Sequence, residues 1–531
     1  MPFRAKKSTD REARFWNKDL QTQRTELRKL WKKKMANPED PSLDSRYKKS
    51  CAKYQKSVSA AKKLSTGNVI ETITEAKDMA RFIKICQGQS RKTLGMLQRP
   101  DGTDTTTVKE TLAHLMEVHF PGSVSTNEDW KVRHGIKRIP ERKISKKFEE
   151  MISTKRVRAA FAKFGNDKAA GLDLIKPVVL KNLPESTIER VALIYRASLE
   201  VSTMLRDWLI SKSIFVPKQG KEKYNIAKSY RPISLSSFIL KGLERIVGWN
   251  LEETVMKLNP LSKWQHGFRT EKSTETAIIE VVNFIESAKL QGQFCIAILL
   301  DIQGAFDNVN AACARETLRE RGFPEWFLEW YGDFLGNRYA KTELKGEICF
   351  ANLKRGTPQG DVLSTLVWNV IYDPLLVEIN KKTACKAVGF ADDGIILVRG
   401  SVLDGILCES QKAIDIASRW GEKNGLTFNE AKTEVLLFTN KKKFQIPWNL
   451  TMNGKALNFS KEARYLGITL DSGLSWNSHL EKKIKDAKRK LMMVKNAITK
   501  IGAPSGKLLE WAYRGIIIPS LAYGATAWAK N

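Results

Sequence analysis

The stretch that most constrains this chain is Lys386-Ala387-Val388-Gly389-Phe390-Ala391-Asp392-Asp393-Gly394-Ile395-Ile396-Leu397-Val398. Two short apolar, β-prone runs flank adjacent aspartates and a glycine. That composition belongs to a tight hairpin whose tip residues tolerate unusual backbone angles. Adjacent acids on a turn repel each other, and an ordinary hairpin favours Asn-Gly there; a divalent cation would supply the missing positive charge. Aspartate is also a common turn residue, so taken alone the pattern fits a metal site and a plain surface turn equally well.

A second stretch shifts that balance. Phe294 to Leu300 is a continuous apolar run of strand length that ends on Asp301, before Ile302-Gln303-Gly304-Ala305-Phe306-Asp307. A buried strand with an acid at its carboxyl end delivers a ligand to a site. Beside the hairpin, Asp301 would join Asp392 and Asp393 as hard oxygen ligands suited to Mg²⁺ that also binds substrate phosphates. A pair of such ions about 3.5–4 Å apart would activate a 3′-hydroxyl and stabilise a leaving pyrophosphate. The implied chemistry is nucleotidyl transfer, catalysed through Asp301, Asp392 and Asp393.

Further blocks follow in order: Lys168-Ala169-Ala170-Gly171-Leu172-Asp173, Ser229-Tyr230-Arg231-Pro232-Ile233-Ser234, His266-Gly267-Phe268-Arg269, the Asp301 block, Gly356-Thr357-Pro358-Gln359-Gly360-Asp361, the aspartate hairpin, Lys432-Thr433-Glu434-Val435 and Tyr465-Leu466-Gly467-Ile468. In this order and spacing, from about Leu94 to the C-terminus, the chain resembles a reverse transcriptase, and more closely the polymerase of non-LTR (LINE-type) retrotransposons of the jockey-like branch. The resemblance implies an α+β right-hand polymerase with fingers, a palm with an antiparallel sheet and a helical thumb, preceded by a basic helical extension. It implies an RNA-directed DNA polymerase that uses Mg²⁺, with Mn²⁺ as a substitute, and that binds an RNA template, a DNA primer or target DNA, and dNTPs.

Residue roles follow from the same resemblance. Lys218 or Lys221, with Arg231, would clamp the incoming triphosphate, as fixed cations suit an anion with developing charge. Phe306 would be the steric gate against the sugar 2′ position, so that the polymer made is DNA. Gln359 would lie beside the nascent base pair. Tyr465-Leu466-Gly467 resembles the primer grip, with Gly467 allowing close backbone approach. The biological primer would be a nicked chromosomal 3′ end. From the residues themselves, Arg269 in a Gly-flanked aromatic loop reads as a backbone-phosphate contact, and Asp307 reads as the cap of a helix Asn308 to Arg321. His266 reads as locally hydrogen-bonded, and the spacing of His114 and His119 excludes a shared metal.

The charge agrees with a polyanionic partner: the net value of +32 and pI near 9.7 lie far outside the range of an ordinary enzyme. No apolar run approaches the roughly 20 residues of a membrane span, so no membrane partner is expected. Seven cysteines without close pairing read as reduced, which predicts an intracellular protein, cytoplasmic during RNA–protein assembly and nuclear at the site of insertion.

In chain order, residues 1–66 read as a basic helical nucleic-acid-binding arm broken near Pro38 and Pro41, 67–150 as the N-terminal extension, 151–250 as fingers, 251–440 as palm with finger elements, and 441–531 as primer grip and thumb. Residues 1–63 carry 19 Lys or Arg against 7 Asp or Glu, interleaved with aromatics. The palm is expected to have helices on one face and an open, nucleic-acid-facing sheet on the other. The helix Leu480 to Lys500, with Lys482, Lys485 and Arg489, would track duplex phosphates, and a helical segment Leu508 to Asn531 would complete the thumb. Neither an endonuclease nor a ribonuclease H region fits in this chain, which predicts an excerpt of a longer polyprotein. Ala170 and Asp361 depart from the family's frequent proline and serine. The rival readings are an intron- or retron-type reverse transcriptase, against which Phe390 and Tyr465-Leu466-Gly467-Ile468 argue, and a non-catalytic RNA-binding scaffold.

Overall fold

The computed structural model describes residues 15–71, 94–126, 144–218, 223–441, 443–501 and 506–529. The chain divides into two compact units: Met1–Lys92 with His479–Ala525, and Thr93–Ser478 with Thr526–Asn531.

In the first unit, the helices Lys18–Ala36 and Pro41–Glu71 pack on each other as the expected hairpin. The Asn17 side chain caps the first helix by accepting from Leu20 N at 2.9 Å. Pro41 opens the second, where its missing N–H costs nothing. Lys34 ties the two together through an ion pair with Asp44 and lies over the Tyr47 ring at 5.3 Å. The long helix Asn477–Ile501 belongs to this unit from His479 on. The segment after it is helical, as expected: Gly506–Ala512, a widened helical turn Tyr513–Ile517 and Ile518–Ala522 follow one another directly, and Ala525–Trp528 adds a last turn. Gly515 lies within the widened turn.

The second unit is built around a four-stranded antiparallel sheet in the order Lys386–Phe390, Asp393–Gly400, Phe294–Leu300, Glu434–Phe438. Side chains alternate across its central strand. Ile296, Ile298 and Leu300 enter a large core shared with the helices Val362–Lys382 and Leu403–Asn424. Cys295, Ala297 and Leu299 enter a second core with the helix Thr274–Leu290 and the hairpin Glu462–Tyr465/Ile468–Asp471. The sheet is thus covered on both faces, not open on one as the sequence reading had it. A strand that is apolar at every position has no face to offer water. At the end of the sheet that carries the acids, Asp392 and Asp393 are exposed.

A five-stranded sheet runs Val124–Thr126, Glu347–Leu353, Arg338–Leu344, Ile210–Pro217, Tyr230–Leu235. The last two are antiparallel neighbours, with Val216 opposite Arg231. The hairpin Arg338–Leu344/Glu347–Leu353 was not foreseen; its turn is Lys345-Gly346, both with positive φ. The helix Val362–Lys382 is long and apolar enough to cross a membrane, contrary to the expectation that no such run exists, but two thirds of that window is buried within the protein. It is the core helix of this unit.

Candidate active site

Antiparallel register places the three acids at one end of the sheet. Leu300 pairs with Gly394 and Phe390 with Asp393, so Asp301, one residue beyond Leu300, lies beside the turn. Within the turn Ala391 takes φ 55°, a left-handed conformation that costs a side-chain-bearing residue about 1–2 kcal/mol. Two supports impose it. On one side, Trp368 Nε1 donates to the Ala391 carbonyl at 2.9 Å. One turn further along that helix, Tyr372 fills the space where a Cβ on Gly389 or Gly394 would lie. On the other side, the segment Trp264–Gly267 runs along the outer hairpin strand: His266 N donates to Gly389 O at 2.8 Å and Gly389 N to Trp264 O at 3.0 Å. A Cβ on Gly267 would collide with the backbone N of Ala391.

His266 is structural, as expected. Its ring bridges Thr276 Oγ1 and Glu280 Oε2, each at 2.8 Å. Burial pushes the Glu280 carboxyl up, but hydrogen bonds from His266 and Lys386 outweigh it and hold the group at about 2. Arg269 differs from its expected role. Its guanidinium donates to the Ser262 and Gln265 carbonyls, stapling the loop shut and leaving less of the group for a phosphate.

The electrostatics of the acidic end match a cation site. Asp392 is raised above the usual carboxylate range by the loss of hydration among packed protein atoms and by the Asp301 charge; Arg231 pulls it partly back. Asp393 is pushed up to about 6 by lost hydration, then by Asp392 and Asp301. Lys432 Nζ sits 3.2 Å from Asp301 Oδ2, so a cation already balances that carboxylate. The carboxylates feel each other without converging: among the described residues no three His, Cys, Asp or Glu side chains form a ready coordination sphere. Like charges favour that spacing. Three carboxylates with mutual repulsion to relieve fit a hard divalent ion.

Two segments are zipped together beside the acids. Thr357 N donates to Phe306 O at 2.7 Å and Gly356 N to Val309 O at 2.8 Å. Gly356, at φ 86°, lies so close to the Asp307 backbone that no Cβ would fit. Gln359 Nε2 completes the contact on the Asp307 carboxylate at 3.2 and 3.3 Å. Asp307 therefore caps no helix. It lies inside the short turn Ala305–Asn308, and Asn310 caps the helix Ala311–Glu320 instead, accepting from Ala312 N and Cys313 N. Burial pushes the Asp307 carboxyl up to about 7, although Arg338 and Gln359 oppose the shift. The Phe306 ring packs on Trp368 at 5.3 Å and is only partly buried.

The remaining predicted residues divide. Arg231 is exposed, and its charge acts on both Asp392 and Asp307. Lys218 Nζ donates to Lys228 O at 3.0 Å, within reach of the same carboxylate by charge. Lys221 lies outside the described residues. Tyr465 is corrected: its side chain is 2% exposed and packs in the second core, so it offers no ring surface to a primer. Gly467 occupies the turn after it at φ 87°. Lys482 and Lys485 are exposed, whereas Arg489 pairs with Asp486. Trp368 and Tyr372 were not singled out in the sequence, and Lys432 stood there only as the start of its block. The i, i+4 aromatic pair on an apolar helix was the available signal for the first two.

Residues 216–470 match the family described as reverse transcriptase (RNA-dependent DNA polymerase). The chain is 26% identical, over 70% of its length, to the RNA-directed DNA polymerase from mobile element jockey of Drosophila melanogaster, covering 41% of that protein. It is 24% identical over 97% of its length to the retrovirus-related Pol polyprotein from type-1 retrotransposable element R1 of Bradysia coprophila, covering 51% of it. A type-2 element polyprotein, R2DM of Drosophila melanogaster, is 27% identical over 48% of the chain and 24% of its own length. The chain spans about half the length, or less, of these relatives.

Proposed function

The chain carries a reverse transcriptase domain over residues 216–470, related to those of non-LTR retrotransposons, and from this premise we propose that it extends a primer 3′-hydroxyl with deoxynucleotides on an RNA template. The observation that carries the reading is the placing of Asp301, Asp392 and Asp393 together at one end of a sheet buried on both faces, under the charge of Arg231. Asp301 and Asp392, and less directly Asp393, would hold Mg²⁺, with Mn²⁺ as a substitute. Two such ions, when bound, lower the barrier for attack by the primer hydroxyl and for departure of pyrophosphate.

The chain's own residues bind and select the nucleotide. Arg231 engages triphosphate oxygens, bidentately where geometry allows, and Lys218 adds charge. The Phe306 ring, steadied by Trp368, blocks a 2′-hydroxyl. Gln359, held by Asp307, meets the sugar and the new base pair. In this reading residues 151–250 act as fingers, 251–440 as palm and the region after 441 as primer grip and thumb. The primer in the cell is a nicked chromosomal 3′ end, reached in the nucleus, and the nick comes from another part of a longer protein. Primer extension on RNA with dNTPs and Mg²⁺, lost by at least about 1000-fold in Asp392→Ala or on chelation, is the expected result. RNA binding without extension by the unmutated chain would replace the enzyme with a scaffold.

A further inference from the structure

Arg338 opens the strand Arg338–Leu344 and is only 4% exposed. A guanidinium taken out of water is costly unless other groups replace the hydration it loses. No carboxylate pairs with it directly among the described residues. Its Nη2 donates instead to two main-chain carbonyls, Arg355 O at 3.0 Å and Gly356 O, and its guanidinium lies 5.8 Å from the centre of the Phe334 ring.

Those two carbonyls begin the loop that carries Gln359. The other edge of the same loop is bonded too: Gly356 N donates to Val309 O at 2.8 Å and Thr357 N to Phe306 O at 2.7 Å. Peptide units held through both N–H and C=O resist rotation, and Pro358, with its fixed φ, carries that constraint on to Gln359. Beyond it the loop is fastened again, by Ser234 N on Gln359 O at 3.4 Å and by Ser236 Oγ on the buried Asp361. The Arg338 charge acts on both carboxylates that flank the loop, Asp307 and Asp361. It favours the ionised form of each, and an ionised carboxylate only accepts hydrogen bonds. Asp307 then takes Gln359 by Nε2 alone, which fixes the orientation of the amide.

Burial excludes direct contact of Arg338 with a nucleotide or a primer, so the guanidinium acts through the loop. An apolar side chain of similar length would fill the same space at a lower cost in desolvation, so packing alone does not account for an arginine there. We propose that Arg338 is a positioning residue that sets the Gln359 side chain for selecting the incoming nucleotide. The proposal rests on the polymerase reading above and on the place that reading gives Gln359.

The test is a double-mutant cycle on steady-state primer extension by the full chain, with an RNA template, Mg²⁺ and varied dNTP. Arg338→Met keeps the length of the side chain and removes its charge and donors. It should raise the KM for dNTP about tenfold or more, with kcat changed by less than about threefold. Arg338→Lys, which keeps the charge, should recover part of the loss. In a Gln359→Ala background, Arg338→Met should raise KM by less than about twofold, because the side chain it positions is gone. A general loosening of the fold would instead act equally in both backgrounds. If Arg338→Met does not fold, Arg338→Lys takes its place in the cycle, with KM raised about threefold alone and unchanged beside Gln359→Ala. A KM unmoved by either substitution, or raised equally in both backgrounds, overturns the proposal. Failure of the unmutated chain to extend any primer overturns the polymerase reading and this inference with it, whereas an additive cycle in an active chain overturns this inference alone.

Discussion

Asp307 occupies a place where its charge is unwelcome. Its carboxyl, ordinarily near 3.8, is pushed up to about 7 by burial. Between those values the folded chain holds a proton that the unfolded chain has released. Stability therefore falls as pH rises through that window, and the full penalty stands above about pH 7. Asp307→Asn keeps the shape and a partner for Gln359 without the charge. Thermal unfolding should show the variant more stable than the parent at pH 8, on the order of 2 kcal/mol, and near parity at pH 4. Equal midpoints at pH 8 would remove the buried carboxylate from the account. Asp361, the other unexpected acid, is accommodated by neighbours: Ser236 Oγ donates to it and Lys241 Nζ lies 3.9 Å away. The helix start behind it is completed by Glu244, whose Oε2 accepts from Val362 N at 3.1 Å.

At the level of elements, the acidic hairpin is held in place by what packs beside it. Gly267→Ala adds a methyl group against the Ala391 backbone, which can yield only by moving the turn that bears Asp392. Extension is expected to fall by at least about 100-fold, with a stability loss of about 1–3 kcal/mol. Activity near the parent level would mean that the loop, not the turn, gives way. The His266–Glu280–Lys386 group anchors the same loop. Because the Glu280 carboxyl is held near 2, below its usual 4.5, its contribution is complete above about pH 4.5 and is lost as pH falls toward 2. Glu280→Gln should lower stability at pH 7 by on the order of 1–2 kcal/mol and flatten the acid limb of the unfolding profile. An acid limb identical to the parent's would assign that stability elsewhere.

For the whole molecule, the dominant property is charge. The helical hairpin Lys18–Ala36/Pro41–Glu71 exposes Lys29, Lys32, Lys33 and Lys49. Each phosphate contact releases counterions, which makes affinity fall with salt by roughly 0.7 log units per decade for single strands. Replacing these four by Gln should make the salt dependence of RNA binding shallower by up to about 3. An unchanged slope would leave the hairpin as a solvated surface that does not touch RNA.

Local chemistry alone determined several features: the strand ending on Asp301, the turn at Asp392-Asp393 and the helical arm broken at Pro41. In each, the signal is a run of residues whose propensities agree with one another and with their neighbours. Only tertiary structure decided that the sheet is covered on both faces, that Tyr465 is core, that Arg269 closes a loop and that Asp307 holds Gln359 across 52 positions of chain. Those outcomes depend on which distant segment fills the space beside a residue. A side chain's burial and its hydrogen-bond partner belong to the packed pair, so no local pattern of one member can state them.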